Sequence, residues 1–417
     1  MAQVIVIGGG AAGMMAAYAA SEKGHQVTLL EKNEKLGKKL YITGKGRCNI
    51  TNAADMETIM AHIVSNPKFL YSALYGFTNQ DMISLLNKAG LETKVERGMR
   101  VFPVSDKSSD VIRTLADLLE KNHVKVFLNK KVETLLFRKT EEGDSGKRTC
   151  IGVQTADGRK RTADVVIVTT GGISYPSTGS TGDGYRFAEE AGHSVTPLSP
   201  ALVPFTAEEE WVRELQGLSL RNVGVQITSG KKKIYSDFGE MLFTHFGVSG
   251  PAILSGSSIC VKHLRKGKLT LHIDLKPALD RKQLDARLLR EFKDARNKQI
   301  SNVIGSLYPS SLVPVILKLS EIPAEKPIHD VTREDRNRLI RTTKDLQITL
   351  NGLRGYNEAI ITQGGIRVKE VNPTTMESRL VDGLRFAGEV LDVDAFTGGY
   401  NLQIAWSTGW AAGSTIE

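Results

Sequence analysis

Residues 3–31 read QVIVIGGGAAGMMAAYAASEKGHQVTLLE. QVIVI is a short apolar run of branched side chains, the pattern of a buried strand. MMAAYAASEKG carries small and apolar residues at helical spacing, and HQVTLLE returns to strand. Between the first strand and the helix stand Gly8, Gly10 and Gly13 in GxGxxG spacing. Gly8 permits the tight turn, Gly10 leaves room for a pyrophosphate beside the backbone, and Gly13 lets the helix lie close to the strand. The start of the helix offers unpaired amide hydrogens to the phosphates. Glu31 ends the second strand, where a carboxylate accepts hydrogen bonds from ribose hydroxyls and repels a 2′-phosphate. The stretch predicts the first half of a dinucleotide fold, for FAD or NAD rather than NADP.

The chain outside this unit is too long for one core. With 417 residues it exceeds the roughly 250–300 at which a single hydrophobic core stops growing, so two or three domains are expected. Hydrophobic residues make up 41% and charged residues 24%, ordinary globular usage with no apolar run long enough to span a bilayer. The opening residues lack a basic leader and three glycines interrupt their apolar run, so they read as structure rather than a signal peptide, and a cytoplasmic location is expected. Cys48, Cys150 and Cys260 are the three cysteines, far apart and without a CxxC pair. That pattern opposes a disulfide framework, a thiolate metal site or a dithiol centre, so no metal is expected and redox chemistry needs a cofactor. The 55 Lys and Arg against 46 Asp and Glu give a net charge of +9, compatible with an anionic cofactor, an acidic substrate or nucleic acid.

Punctuation along the chain sets the expected organisation. KKLYITGKGRCNITN (38–52) reads as loop, and FTNQDMISLLNKAG (77–90) as a helix ending at Gly90. Strands follow at 123–129, 131–140, 150–158 and 159–170, with an exposed hairpin tip at 141–148. Prolines at 197, 200 and 204 precede short strands such as 221–230 and 268–275. Residues 280–297 place Leu284, Leu288 and Phe292 on one helical face. The expected fold class is α/β. A Rossmann-like FAD-binding domain (1–192 and 360–417) is formed from both chain ends. A β-rich second domain (193–276 and 346–359) carries a helical insertion (277–345).

The far end of the chain completes the site. LRFAGEVLDVDAFTGGYNLQ (384–403) places a strand before Gly388 and Glu389, then two glycines before a helix. Glu389 is expected to hold ribityl hydroxyls, and the helix starting near Gly399 and Asn401 to aim its positive end at the flavin pyrimidine edge. This suits flavin better than nicotinamide.

The sequence resembles a bacterial FAD-binding family, the aminoacetone oxidase-like or BaiN-like NAD(P)/FAD-dependent oxidoreductases of the broader glutathione reductase type. The resemblance spans essentially the whole chain. It is carried by VIGGGAAGMMAA (6–17), GKKLYITGKGRCNITN (37–52), GMRVFPVSDKSSDV (98–111), TTGGISYPSTGSTGDGYRFAEEAGH (169–193), LFTHFGVSGPAIL (242–254) and residues 362–410. It implies that Ala11 and Ala12 join the three glycines at the pyrophosphate, that Glu31 and Lys32 meet the adenosine ribose, and that Lys38 lies in the loop over the cofactor. It further implies that the Val132 backbone meets adenine, that Thr170 and Gly171 pass beside the cofactor, and that Gly388, Glu389, Gly399, Asn401 and Leu402 face the ribityl chain and isoalloxazine. Residues 171–192 are also similar to fumarate reductase-like flavoproteins, which reduce activated C=C bonds. Members of the family are associated with steroid acids and with uridine in ribosomal RNA.

A C=C reductase needs a proton donor besides the flavin hydride. Cys48 reads either as that donor, with Arg47 lowering its pKa or gripping an anion and Asn49 binding a carbonyl, or as a buried inert thiol. His245 reads as a catalytic acid, a structural histidine or a substrate anchor. Thr244 and Tyr175 are further donors, and Arg100 reads as structural. Lys231, Lys232, Lys233, Lys262 and Arg265 with the helical insertion form either a solvated surface or a nucleic-acid footprint. The leading expectation is an FAD-dependent reductase of an activated C=C bond. NAD(P)H is the expected electron donor, binding transiently at the flavin face and not in a domain of its own, because GSTGDG (179–184) has the wrong spacing for a second dinucleotide loop; ribosomal RNA is a candidate substrate. An amine or aminoketone oxidase using oxygen and a flavin-loaded RNA-binding protein without turnover are the alternatives. Oligomeric state is left open.

Overall fold

The computed structural model describes residues 1–138 and 147–417. The first six residues of the hairpin tip expected at 141–148 lie outside the described residues. The chain divides into two compact units, residues 1–200 with 356–417, and residues 201–355.

The first unit is built on β1 (Gln3–Ile7), α1 (Ala11–Glu22), β2 (Gln26–Leu30), β3 (Lys125–Phe127), β4 (Val165–Val168), β5 (Leu384–Phe386) and α2 (Tyr400–Ser414). The strands form one parallel sheet in the order β5-β4-β1-β2-β3. Strands covered on both faces must be apolar throughout, and Val4, Ile5, Val6 and Ile7 are all buried. The two chain ends meet through α1 and α2. A Cβ on Gly409 would overlap the Ala12 carbonyl, and one on Gly413 the Ala16 carbonyl, so glycine lets the two helices pack almost backbone to backbone. Residues 38–52 contain more structure than the expected loop. Helix Lys38–Ile42 follows Gly37, which is in the left-handed conformation, and Thr51–Asn52 pairs with the strand Arg100–Pro103. Five residues are too few to show helical periodicity.

The second unit is a closed six-stranded barrel, with strands in the order 205–207, 247–249, 232–244, 219–229, 269–274 and 346–353. Helices Arg281–Lys293, Leu312–Leu319 and Arg333–Lys344 lie between its last two strands in sequence. Leu284, Leu288 and Phe292 are buried, in the same apolar cluster as the barrel residues Ile227, Leu271 and Ile348. The expected insertion therefore shares the barrel's core. The units also divide later than the prolines indicated, at 200/201 instead of 193. Val195 bridges to Ile366 and Thr196 exchanges hydrogen bonds with Gly365, which ties this segment to the first unit through pairing that composition does not reveal.

Candidate functional site

At the end of β1 the chain turns under two steric constraints. Gly8 has φ +103°, and a Cβ there would lie 2.8 Å from the Thr169 carbonyl oxygen. A Cβ on Gly13 would overlap the Gly8 carbonyl. Gly10 is different: it has φ −83° and ψ −166°, a conformation open to any residue, and a Cβ there would meet nothing within 4 Å. It borders a cavity in the first unit that is lined by Gly8 to Ala12, by Glu31 and Lys32, and by Lys130 to Val132. Thr170, Gly171, Glu389, Asn401 and Leu402 also line it.

Positions along this cavity fit FAD. The glycine loop and the start of α1 would hold a pyrophosphate, Glu31 and Lys130 to Val132 border one end of the cavity, and the first turn of α2 with Glu389 borders the other. Two observations on the protein itself support the fit. Gly10 keeps open a space that no protein atom fills. The Thr170 hydroxyl is buried on the cavity wall with no hydrogen-bond partner among the described residues, and buried polar groups ordinarily have one. Gly179 and Ser180 line the same cavity, so GSTGDG belongs to this one site.

The charged residues are wired more tightly than their motifs indicated. Glu31 is buried; one carboxylate oxygen accepts from the Gly9 amide at 2.6 Å and the other from the Asn33 amide at 2.8 Å and its side chain at 2.7 Å. It therefore holds the glycine loop in shape. Lys32 donates to Thr181 and Asp183, both at 2.6 Å, and Lys38 pairs with Glu34 at 3.3 Å. Glu389 accepts from the Lys39 ammonium at 2.7 Å, the Ser174 hydroxyl at 2.8 Å and the Thr362 amide at 2.8 Å. Lys39 and Ser174 also bond each other at 2.6 Å. Lys39 lines the cavity and was missed; its only sequence signal is its place beside Lys38. Asn401 spends its side chain on the Ala395 and Phe396 backbone.

Gly13, Gly388 and Gly399 sit behind the wall instead of on it. The Gly388 amide donates to Thr408 at 3.0 Å, and a Cβ there would lie 2.7 Å from that of Ala12. Gly399, at φ +99°, starts α2 against the Thr51 backbone. These two glycines allow close packing around the site and do not border the cavity.

Two of the three catalytic candidates, Cys48 and Arg47, need correction. Cys48 is fully buried in the first unit's core and does not border the cavity. Burial pushes its thiol up to about 12, the opposite of an activated thiol. Cys48→Ala is expected to keep FAD affinity, measured by titration, within about threefold and to cost about 1 kcal/mol of stability, measured by urea unfolding. Arg47 does not act on that thiol. Its guanidinium lies over the Phe102 ring at 4.1 Å and pairs with Glu96 and Asp106, while Lys94 meets Asp106 at 2.7 Å. Hydrogen bonds from Lys94 and then Arg47 hold the Asp106 carboxyl below its usual range, and Arg47 does the same to Glu96. A depressed folded pKa adds stability above the unfolded value, and that stability is lost as pH falls through the folded one. Arg47→Met should therefore lower the melting temperature at neutral pH, and the difference should shrink well below about pH 4. His245 is an exposed residue of the barrel unit, edge-on to Phe246 at 4.8 Å.

Among the described residues no helix is long and apolar enough to cross a membrane, and no cluster of His, Cys, Asp or Glu could hold a metal ion.

Comparison with known proteins agrees with this geometry. The chain is 34% identical over 416 residues to a 3-dehydro-bile acid delta(4,6)-reductase of Clostridium scindens, covering 99% of this chain and 98% of the relative. It is 34% identical over 412 residues to a ribosomal RNA dihydrouridine synthase of Escherichia coli, covering 99% and 97%. Among solved structures, the 3-ketosteroid delta1-dehydrogenase of Sterolibacterium denitrificans matches 99% of this chain and 98% of its own, with a TM-score of 0.55 at 13% identity, a likeness of fold. The HI0933-like protein Rossmann domain matches residues 2–415, and the chain accordingly belongs to the HI0933-like family as an FAD-dependent oxidoreductase.

Proposed function

We propose that the protein uses electrons from NAD(P)H to reduce a C=C bond conjugated to a carbonyl, and that its substrate is a uridine of ribosomal RNA. One observation carries the reading. The two relatives matched along nearly their full length at 34% identity bear names that denote one chemistry on unlike molecules. The delta(4,6) bonds of a 3-dehydro bile acid and the bond lost between uridine and dihydrouridine are both C=C bonds conjugated to a carbonyl.

Bound FAD supplies the hydride for such a reduction. The chain's part is to seat it: the glycine loop and α1 by amides and helix dipole, Glu31 by bracing that loop, and Thr170 by a hydroxyl free to bond. The Lys39–Glu389 ion pair sets a donor and an acceptor side by side on the cavity wall. The second carbon of the double bond takes a proton, and the protonated, enclosed Cys48 is not its source.

RNA is favoured over a small anion by the barrel unit's charge. Lys231, Lys232 and Lys233 are exposed at the tip of its long hairpin. Thr228 pairs with Thr270, which brings Lys268 to the same end. Helix Pro251–Leu264 delivers Lys262, Arg265 and Lys266 just before that strand. Such a concentration of cations suits a phosphate backbone. This reading carries with it a cytoplasmic location, where ribosomes and reduced nicotinamides are found.

The test is anaerobic. Flavin absorbance is followed with NADPH and NADH, then with ribosomal RNA from a strain lacking the gene. Bleaching by the nicotinamide and recovery with RNA that loses a uridine double bond supports the reading. Recovery with oxygen alone, with peroxide released, replaces it with the oxidase; binding of RNA without product replaces it with the non-catalytic binder.

A further inference from the structure

Helix Pro67–Gly76, in the first unit, buries Phe69, Leu70, Ala73 and Leu74 and leaves Lys68, Tyr71, Ser72 and Tyr75 exposed. Positions 68, 71 and 75 share one stripe of a helix. Tyr71 is 56% exposed and Tyr75 50%, and their rings stack at 4.4 Å with 26° between planes. Outward positions of a surface helix are ordinarily polar or charged. An aromatic pair at this spacing steadies the helix only slightly, which does not account for two large rings half in water.

A recess of about 560 Å³ opens at the N-terminal end of the same helix. Its floor is apolar, formed by Phe69, Val368 and Val371, and exposed Lys68, Lys369 and Arg379 stand around it. The Arg379 Nε–H donates to the Val371 carbonyl at 3.3 Å; among the described residues none of these three cations is in an ion pair. Thr374 meets Ser72 at 3.5 Å, so the recess and the tyrosines share one surface. Glu57 is a carboxylate close to Tyr75. The volume lies within the roughly 300–1,000 Å³ of small-ligand sites.

We infer that this surface is a docking platform for single-stranded RNA, with bases stacked on Tyr71 and Tyr75 and phosphates held by Lys68, Lys369 and Arg379. Stacked aromatics beside cations are the combination that binds single strands without sequence preference, because every base has a π-face and every nucleotide a charge. The inference rests on the reading of RNA as substrate and is separate from the cationic end of the barrel unit. It assigns the first unit its own grip on the strand.

The test uses the FAD-loaded full chain and a fluorescently labelled single-stranded oligonucleotide from ribosomal RNA, followed by anisotropy over a range of salt. Tyr71→Ala with Tyr75→Ala should weaken binding by about 10- to 100-fold with little change in salt slope, and Tyr71→Phe with Tyr75→Phe should restore it. Lys68→Glu with Arg379→Glu should flatten the salt slope. In every variant the flavin spectrum and its reduction by NAD(P)H should match wild type. If wild type binds and reduces RNA and the alanine pair does so equally well, the platform is overturned while the RNA reading stands. If wild type binds no RNA, both fall. If the alanine pair instead converts a sedimenting dimer to monomer, the surface is a self-association face and the inference is wrong.

Discussion

A Gly10→Val chain is expected to fold and melt like cofactor-free wild type, yet to purify colourless, with FAD affinity reduced by at least about a hundredfold, or ~3 kcal/mol. The argument turns on which partner requires glycine at each position of the loop. At Gly8 and Gly13 the protein does: φ is +103° at the first, and a side chain at either would strike backbone. At Gly10 the backbone is extended and no protein atom lies within 4 Å of a built Cβ. A valine there disturbs nothing in the fold and occupies the space through which a pyrophosphate approaches the amides at the start of α1. Thermal melts of the cofactor-free proteins, far-UV circular dichroism and FAD titration together check this. Gly13→Ala is the control and should fail in the melt. If Gly10→Val still binds FAD tightly, the pyrophosphate does not lie on this loop and the placement of the cofactor is wrong.

How much of this was legible in sequence depends on the distance over which each feature is determined. The β1–α1–β2 unit follows from residues within thirty positions of one another, and the face of Leu284, Leu288 and Phe292 from one helix's periodicity; both are present in the structure. The barrel closes by pairing Phe205 with Leu353, a contact that leaves no local pattern in either segment. The charged residues misled in one consistent way. Glu31, Lys32 and Glu389 belong to the cavity wall, but each is also tied to protein groups, and motif reading treats such side chains as though only a ligand could satisfy them. Cys48 shows the opposite error. It lies in a glycine-rich loop that reads as open, yet it adopts φ +60° and turns inward, fully buried. Composition cannot distinguish a loop that covers a ligand from one folded into the core.

The contact between the chain ends supports a prediction whose sign opposes simple propensity. Glycine inside a helix costs about 1 kcal/mol relative to alanine, so Gly409→Ala and Gly413→Ala would stabilise α2 if it stood alone. Here both glycines lie against α1, and a Cβ at either would overlap a carbonyl oxygen of Ala12 or Ala16. Main chain cannot rotate aside as a side chain does, so the helices must separate. Overpacking of this kind costs about 1–3 kcal/mol, more than propensity returns. Each substitution is therefore expected to destabilise by about 1 kcal/mol net and the pair by about 2 kcal/mol, since the sites touch different residues of α1. Gly409→Ala should also weaken FAD binding, because Ala12 on one helix and Asn401, Leu402 and Ala405 on the other line the same cavity, so spreading the helices at Gly409 moves its two walls apart. Gly413→Ala, one turn farther from that cavity, should lower stability with a smaller effect on FAD. Urea unfolding with and without FAD separates the two effects. A rise in stability for either alanine variant would mean that α1 and α2 are not in backbone contact, and the joining of the two chain ends around the cofactor would have to rest on other residues.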